Sequence, residues 1–327
     1  MEVVTTKRLH LFSGRHNTEL ADLVGKHLGV PVTDAALGQF ANGETHCKFS
    51  ESVRGSDVFI MQSHGQLEGR GGVNDAIMEH LIMVDAARRA SAKRITAVMP
   101  FYGYGRQDRK AEGREPITAK LVADLFNAAG ASRLVSVDLH SGQIQGFFNG
   151  PVDHLTAMPV LVDRLSQFGD GMVVVSPDAG RVKVAERYSQ QLNADLAIVH
   201  KRRVTGVKNV AEAKDVVGEV AGRHCVLIDD MIDTAGTICQ AADLLIERGA
   251  ASVSAAATHG VFSGPAIDRL KNSSLERVIV TDTLPMPSEK QFDKLEVLSV
   301  SKVIAAAIGA VFEDASVSQI FDGQNQQ

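Results

Sequence analysis

Short apolar runs alternate with helix-like segments along nearly the whole chain of 327 residues. These runs are continuous in hydrophobicity, which is typical of strands that are buried on both faces of a parallel sheet. Ten of them are predicted as strands, at residues 9–12, 57–61, 94–99, 134–138, 172–176, 196–200, 224–228, 252–259, 277–281 and 295–299. The repeated order of strand, helix and strand predicts an α/β fold.

Helical periodicity marks the segments between these strands and one segment after the last of them. The predicted helices are residues 17–28, 74–90, 117–129, 158–168, 181–192, 237–248, 264–271 and 301–312. Several end at a glycine in the position where a left-handed residue commonly terminates a helix. These glycines are Gly29, Gly130, Gly169 and Gly249.

A turn-rich break at residues 150–159 follows a complete set of strand–helix units and is the best candidate for a domain boundary. We therefore predict two similar domains with mainly parallel sheets, at residues 1–155 and 156–327. Periodicity does not show which domain the last helix, residues 301–312, packs on.

Composition and charge exclude several classes of protein. The formal net charge of −5 gives no electrostatic case for a nucleic-acid partner. The three cysteines, Cys47, Cys225 and Cys239, are scattered, which argues against a zinc motif or a disulfide framework and favours the reducing cytoplasm. Apolar runs fall short of the roughly 18 residues of a membrane span, so we expect no membrane partner.

The segment at residues 229–237 is the strongest chemical signal in the sequence. An apolar strand runs into two aspartates, and a short hydroxyl-rich loop then opens a helix. Such a loop offers backbone N–H groups and the positive end of the helix dipole to a phosphate. Carboxylates that cap a turn would explain a lone aspartate pair, but the whole string favours a sugar phosphate, because ionised Asp229 and Asp230 can accept hydrogen bonds from vicinal ribose hydroxyls.

This string resembles the phosphoribosyl-diphosphate-binding motif of class I phosphoribosyltransferases and of ribose-phosphate diphosphokinases. Further segments resemble the diphosphokinases alone, in the same order along the chain. They are residues 40–44, 102–110, 137–141, 176–180 and 201–203. The resemblance extends from about residue 9 to residue 312.

The resemblance implies a fold like that of the type I phosphoribosyltransferases and a diphosphotransferase reaction. ATP and D-ribose 5-phosphate would give AMP and 5-phospho-α-D-ribose 1-diphosphate. The sugar diphosphate would feed nucleotide, histidine and tryptophan synthesis. The N-terminal domain would contribute to ATP binding and oligomerisation, and the C-terminal domain would bind ribose phosphate. The resemblance also implies Mg²⁺, a homo-oligomer that is a hexamer built from dimers, and regulation by phosphate or ADP through residues 13–15.

The same resemblance assigns roles to individual residues of this sequence. ATP would be bound by Phe40, Asn42, Gly43, Glu44, Arg106, Gln107, Asp108 and His140. Ribose 5-phosphate would be bound by Asp229, Asp230, Asp233, Thr234, Ala235, Gly236 and Thr237. The metal ligands would be His140 and Asp178, and the catalytic cations Lys201 and Arg203. His140 is an unusual ligand for so hard an ion, and contact with a phosphate or a metal-bound water is an equal alternative.

Two places depart from the family pattern. Ala235 stands where glycine is usual, and an alanine would be strained there if the backbone requires a positive φ. Arg181 and Lys183 stand where glycine and arginine are more usual, and Arg181 adds charge close to Asp178.

Two alternative functions remain at this point. A phosphoribosyltransferase would carry the string at residues 229–237 but would have no use for the ATP motifs. A non-catalytic regulatory homologue should have lost Lys201, Arg203 or Asp233, and all three are present.

Overall fold

The computed structural model describes residues 7–202 and 213–321. Its contacts divide the described chain into two units. Unit 1 contains the residues up to Thr156, Thr283–Pro285 and the residues from Val300 onward. Unit 2 contains Ala157–Asp282 and Met286–Ser299.

Unit 1 is built on a parallel sheet. Its strands are β1 (Leu9–Ser13), β2 (Ala35–Gln39), β3 (Thr45–Phe49), β4 (Asp57–Met61), β5 (Arg94–Met99), β6 (Arg133–Val137) and β7 (Val152–Leu155). Five of them form the sheet in the order β1-β4-β5-β6-β7, and every pair in it is parallel. The other two, β2 and β3, form a separate antiparallel hairpin. All five residues of β4 are buried, as expected for a strand covered on both faces.

Unit 2 has a larger sheet. Its strands are β8 (Val173–Ser176), β9 (Asp195–Arg202), β10 (Ala213–Val217), β11 (His224–Ile232), β12 (Ser252–Gly260), β13 (Arg277–Thr281) and β14 (Leu295–Leu298). Their order is β10-β9-β8-β11-β12-β13-β14. Only the β9–β10 pair among these described strands is antiparallel. Strand β11 lies between β8 and β12, so both of its edges are paired.

Eight α-helices are described, and they connect or follow the strands. They are α1 (Thr18–Leu28), α2 (Val73–Arg89), α3 (Thr118–Ala129), α4 (Met158–Leu165), α5 (Val182–Leu192), α6 (Gly236–Glu247), α7 (Ala266–Asn272) and α8 (Ser301–Phe312). The last helix, α8, packs against α1 within unit 1. Just beyond its end, Asp314 accepts hydrogen bonds from Lys7 and Arg94 of the same unit.

The predicted α/β fold with mainly parallel sheets is confirmed, and the differences are local. The strand predicted at residues 224–228 continues to Ile232, because β12 offers it partners as far as Gly260. The helix predicted at residues 158–168 ends at Leu165 and continues as a 3-10 turn over Ser166–Phe168. Within the described residues, no helix has both the length and the apolar character needed to cross a membrane.

Candidate functional site

The acidic pair Asp229 and Asp230 lies inside β11, whereas the sequence predicted a strand that ends at residue 228, just before the pair. Both side chains are largely withdrawn from solvent, with exposures of 20% and 9%. Arg181 contacts both carboxylates: its Nε lies 3.2 Å from Asp229 Oδ1, and its Nη2 lies 2.7 Å from Asp230 Oδ1. The backbone N–H of Asp230 also donates to Asp229 Oδ1, at 2.8 Å.

Burial makes this pair electrostatically unusual. Desolvation and then the neighbouring Asp230 carboxylate raise the pKa of Asp229 to about 8, while Arg181 acts in the opposite direction. Two carboxylates that share one poorly solvated site oppose each other's ionisation. The charge state of the pair therefore depends on Arg181, whose role the sequence did not predict beyond its added charge.

The loop between β11 and α6 leads directly into a helix N-terminus. The first N–H groups of a helix have no partner within the helix, so they can bind an anion. Thr234 and Thr237 are exposed on this loop and first turn, where their hydroxyls add donors. Ala235 adopts the left-handed conformation, with φ 60° and ψ 4°, just before the helix begins at Gly236.

Neighbouring elements hold the loop in place. The Ser263 backbone N–H donates to the Asp233 carbonyl at 3.0 Å. From α7, Arg269 Nη1 donates to the Thr234 carbonyl at 2.9 Å. Lys290 Nζ donates to the Val261 carbonyl at 2.9 Å, and the Val261 N–H donates to the Ile232 carbonyl, just before the loop, at 3.0 Å. These supports are long-range contacts, so Arg269 and Lys290 were not identified from the sequence.

Asp178 follows β8, whose carboxyl end lies beside β11 in the parallel sheet. Its carboxylate is half-buried, and Oδ1 accepts the Gly180 N–H at 2.8 Å. The Ser176 hydroxyl donates to the Asp178 carbonyl at 2.7 Å and fixes the turn. Asp178 therefore presents a carboxylate on a constrained turn at the same edge of the sheet as the acidic pair.

Lys201, one of the two predicted catalytic cations, lies near the end of β9. The backbone of Lys201 pairs with that of Lys214 in the antiparallel ladder between β9 and β10. Arg203 lies outside the described residues. The structure therefore gives Lys201 a place in the sheet of unit 2, and the roles of both cations remain predictions.

In unit 1, residues 40–44 form the tip of the β2–β3 hairpin, which the sequence did not predict. The Phe40 N–H donates to the Glu44 carbonyl at 2.8 Å, and the Glu44 N–H donates to Asn42 Oδ1 at 3.2 Å. Gly43 has a φ of 90°, which closes this tip without side-chain strain. Phe40 is 57% exposed, so the tip offers an aromatic surface to a binding partner.

The segment at residues 102–110 follows β5, and its side chains differ in their exposure to solvent. Arg106 and Gln107 are exposed. Asp108 is buried instead, and its carboxylate accepts a hydrogen bond from Gln143 Nε2 at 2.8 Å. Asp108 therefore has a structural partner within unit 1, and its predicted contact with ATP is untested.

Two buried histidines fix the beginning of that segment. The Gly103 N–H donates to His64 Nδ1 at 3.2 Å, so His64 carries its proton on Nε2. His64 Nε2 then lies 3.1 Å from His80 Nδ1, and His80 Nε2 lies 3.0 Å from the Ile60 carbonyl. The chain of bonds has one consistent set of tautomers, with each ring donating toward Ile60.

His140 follows β6 and is half-buried. The preceding residue is held by a buried side chain, since the Leu139 N–H donates to His154 Nε2 at 2.9 Å. Asp138 adopts a positive φ of 37° at this turn. His140 is thus presented on a constrained turn at the carboxyl end of a strand in unit 1.

Among the described residues, no group of three or more His, Cys, Asp or Glu side chains is arranged to hold a metal.

Comparisons with known proteins extend over almost the whole chain. The model of the N-terminal domain of ribose phosphate pyrophosphokinase matches residues 9–130, and that of the phosphoribosyl synthetase-associated domain matches residues 205–322. The chain is 55% identical to the ribose-phosphate pyrophosphokinase of Streptomyces avermitilis over 320 residues, which are 97% of each chain. Identity to the protein of the same name from Caldanaerobacter subterraneus is 51% over 318 residues, or 97% of this chain and 98% of that one.

A solved structure agrees with these sequence matches. The crystal structure of phosphoribosylpyrophosphate synthetase from Mycobacterium smegmatis superposes with a TM-score of 0.88 at 52% identity. The match covers 94% of this chain and 100% of that one. Both the sequence and the fold place the protein with these relatives, and the chain belongs to the ribose-phosphate pyrophosphokinase family.

Proposed function

We propose that the protein transfers the β,γ-diphosphoryl group of ATP to the C1 hydroxyl of D-ribose 5-phosphate. The products are 5-phospho-α-D-ribose 1-diphosphate and AMP. The observation that carries this proposal is the acidic pair in β11, followed within a few residues by the N-terminus of α6. The names of relatives that match along 97% of the chain support it.

The sugar phosphate has a complementary surface in unit 2. Asp229 and Asp230 accept hydrogen bonds from the vicinal hydroxyls, since the pair keeps acceptor lone pairs even when it holds one proton. The 5-phosphate lies against the loop of Asp233, Thr234 and Ala235 and the first residues of α6, Gly236 and Thr237, which supply N–H and hydroxyl donors.

ATP is bound by residues that unit 1 contributes. Phe40, Asn42, Gly43 and Glu44 form an exposed hairpin tip, and the exposed Phe40 ring offers a surface on which a base can stack. Arg106 and Gln107, which are exposed, contact the nucleotide together with Asp108 and His140. An exposed tip of this kind suits a site that is completed by a second copy of the chain.

In the reaction, the C1 oxygen attacks the β-phosphorus of ATP. The bond between that phosphorus and the oxygen bridging to the α-phosphate breaks, AMP leaves with the bonding pair, and the hydroxyl proton passes to solvent. Lys201 acts as a point charge, and Arg203 donates a bidentate pair of hydrogen bonds to the phosphoryl oxygens. Phosphoryl transfer depends mainly on positioning and on such cations.

Magnesium is the metal that this substrate favours, because ATP brings it partly hydrated. Asp178 and His140 would be its protein ligands, directly or through a bound water. When bound, the ion neutralises charge on the phosphoryl oxygens.

We also propose that the protein works in the cytoplasm as a homo-oligomer, specifically a hexamer, and that it is regulated by phosphate or ADP. Exposed apolar side chains support self-association: Ile117, just before α3, is 37% exposed, and Leu121 and Leu125 on α3 are 55% and 41% exposed, at spacings that place them on one face. In the candidate regulatory segment, Arg15 is already paired, with Nε 2.5 Å from Glu79 Oε2.

The direct test is to incubate the purified protein with ATP and Mg²⁺ and to measure AMP by chromatography. We expect AMP only when ribose 5-phosphate is added. Ribose should give none, because it lacks the phosphate that binds at the N-terminus of α6. Sugar-independent AMP would contradict the proposal. Consumption of 5-phosphoribosyl 1-diphosphate with a nucleobase and without ATP would favour a phosphoribosyltransferase, and no turnover at all would favour a regulatory homologue.

The catalytic assignment of Lys201 has its own test. We expect Lys201→Ala to lower kcat by about 100-fold or more while the KM for ATP changes by less than about threefold, since the charge acts mainly in the transition state. Lys214→Ala is the matched control, because Lys214 pairs with Lys201 in the backbone register of β9 and β10. An unchanged kcat in Lys201→Ala would remove Lys201 from the catalytic role.

A further inference from the structure

Arg181 lies where two neighbouring strands end. It is the last residue of a 3-10 turn, Ala179–Arg181, that follows β8 and precedes α5. Strand β8 pairs in parallel with β11 through contacts such as Val175↔Leu227. The carboxyl ends of the two strands therefore lie side by side, and a long side chain after β8 can reach residues of β11.

The contact that results is bidentate but divided between two acids. Arg181 uses Nε for Asp229, at 3.2 Å, and Nη2 for Asp230, at 2.7 Å. These two N–H groups lie on one edge of the planar guanidinium, which fixes the separation of the oxygens that they bind. The arginine side chain is only 15% exposed, so solvent screens the contact weakly.

The two acids need such a partner. Adjacent buried carboxylates disfavour each other's charge. A protonated carboxyl group presents an O–H donor to a sugar hydroxyl, where an ionised carboxylate presents only acceptors. On the other edge of β11, Asp229 pairs with the uncharged Ala257. Among the residues that the structure describes, the charged groups that act on Asp229 are its neighbour Asp230 and the cation Arg181.

Resting on the proposed function, we propose that Arg181 is a positioning residue for the ribose: it fixes the separation of the Asp229 and Asp230 oxygens and opposes protonation of the pair, so that their remaining lone pairs accept the vicinal hydroxyls. An ionised carboxylate has about four lone-pair sites, so the bonds to Arg181 leave acceptor capacity for the sugar. The arginine thus sets the preference of the site for a sugar with both hydroxyls.

The test compares Arg181→Met, which removes the charge at similar length, with Arg181→Lys, which keeps the charge but loses the fork. We expect Arg181→Met to raise the KM for ribose 5-phosphate about 10-fold, with the KM for ATP within about twofold of the original. The KM of Arg181→Lys for ribose 5-phosphate should lie between those of the original protein and of Arg181→Met. Lys183→Met, an exposed cation two residues away, is the matched control and should leave both constants unchanged.

Two further readouts separate positioning from a merely structural role. The preference for ribose 5-phosphate over 2-deoxyribose 5-phosphate, as a ratio of kcat/KM values, should fall about fivefold or more in Arg181→Met. The acid limb of kcat/KM for the sugar should also move to higher pH, because Asp229 loses the cation that favours its ionised form. If the methionine variant does not fold, the sugar preference of Arg181→Lys decides the question.

The proposal is overturned if the sugar preference is unchanged in the arginine variants, or if their KM for ribose 5-phosphate falls, since the arginine would then compete with the sugar. Failure of the proposed function looks different, because the unaltered protein would then not form AMP with ribose 5-phosphate at all.

Discussion

Ala235 precedes α6 with a φ of 60°, in the region that L-residues with a side chain rarely occupy. Its methyl group is nevertheless part of the core of unit 2, since the residue is only 5% exposed. The cost of this backbone conformation is of the order of 1–2 kcal/mol. Strain of this kind persists where the surrounding structure fixes the loop, as at a binding site.

Two substitutions at Ala235 test that assignment by chemical denaturation. Glycine should change the free energy of unfolding by less than about 1 kcal/mol, because relief of strain is offset by the lost methyl burial and by backbone entropy. Valine should destabilise the protein by about 2 kcal/mol, since a branched β-carbon is poorly tolerated at positive φ. Equal stability of the glycine and valine variants would contradict the conformation.

At the level of residues, the sequence was informative where chemistry is local. The order of acids, hydroxyls and glycine at residues 229–237 predicts a sugar-phosphate site, which stays a prediction. The conditional expectation for Ala235 is met by its positive φ. The contacts of Arg181 and Arg269 were not predictable, because each joins residues at least 35 positions apart. Asp108 shows the converse, since its motif does not reveal that the carboxylate is buried against Gln143.

Three elements of unit 2 contribute different parts of the candidate site. The sheet supplies Asp229 and Asp230, α6 supplies a helix N-terminus, and α7 supports the loop between them through the bond from Arg269 to the Thr234 carbonyl. In the proposed function this loop binds the 5-phosphate, which requires a defined loop shape. Its support from α7 should therefore matter for sugar binding and little for ATP.

We expect Arg269→Met to raise the KM for ribose 5-phosphate about fivefold, with a change in the KM for ATP of less than about twofold. Lys271→Met is the matched control, because Lys271 is also an exposed cation on α7. Steady-state kinetics with each substrate varied in turn gives both constants. Equal effects of the two variants would show that charge on α7, rather than the bond to the loop, is responsible.

The limits of prediction for elements have physical causes. Buried parallel strands and amphipathic helices were located because their periodicities differ. The extension of β11 to Ile232 depends on pairing with β12, which the local sequence does not encode. Strands β2 and β3 were missed because a partly exposed hairpin lacks a continuous apolar run.

At the scale of the whole molecule, unit 1 contains a titratable network that should govern its response to acid. His64 and His80 are fully buried, and desolvation is the main reason that their pKa values are lowered, that of His80 to about 3. Both rings stay neutral in the folded protein at a pH where the unfolded chain, with a pKa near 6.5, binds protons. The unfolded state therefore gains protons first, and stability falls as the pH drops from about 6.5 toward 3.

Each buried histidine contributes up to about 1.4 kcal/mol per pH unit to this decline. Asp229 acts in the opposite direction, because its raised pKa makes the folded state bind the extra proton between pH 8 and 4. The test therefore compares how the Tm of each variant and of the original protein changes with pH. A His64→Phe, His80→Met double variant should show a shallower loss of thermal stability from pH 7 to 5. His27→Gln, which changes an exposed histidine, should keep the original slope, and an unchanged slope in the double variant would refute the assignment.

In the proposed reaction, the protein joins an ATP-derived diphosphoryl group to the anomeric hydroxyl of ribose 5-phosphate. Phosphorus NMR of a mixture of the protein with ATP, Mg²⁺ and ribose 5-phosphate distinguishes this reaction from others, because it identifies each phosphorus by its bonding. We predict equal amounts of AMP and of a sugar that carries a diphosphate on C1 and keeps its 5-phosphate. Formation of ADP with a singly phosphorylated C1, or of AMP with free inorganic diphosphate and unchanged sugar, would contradict the claim.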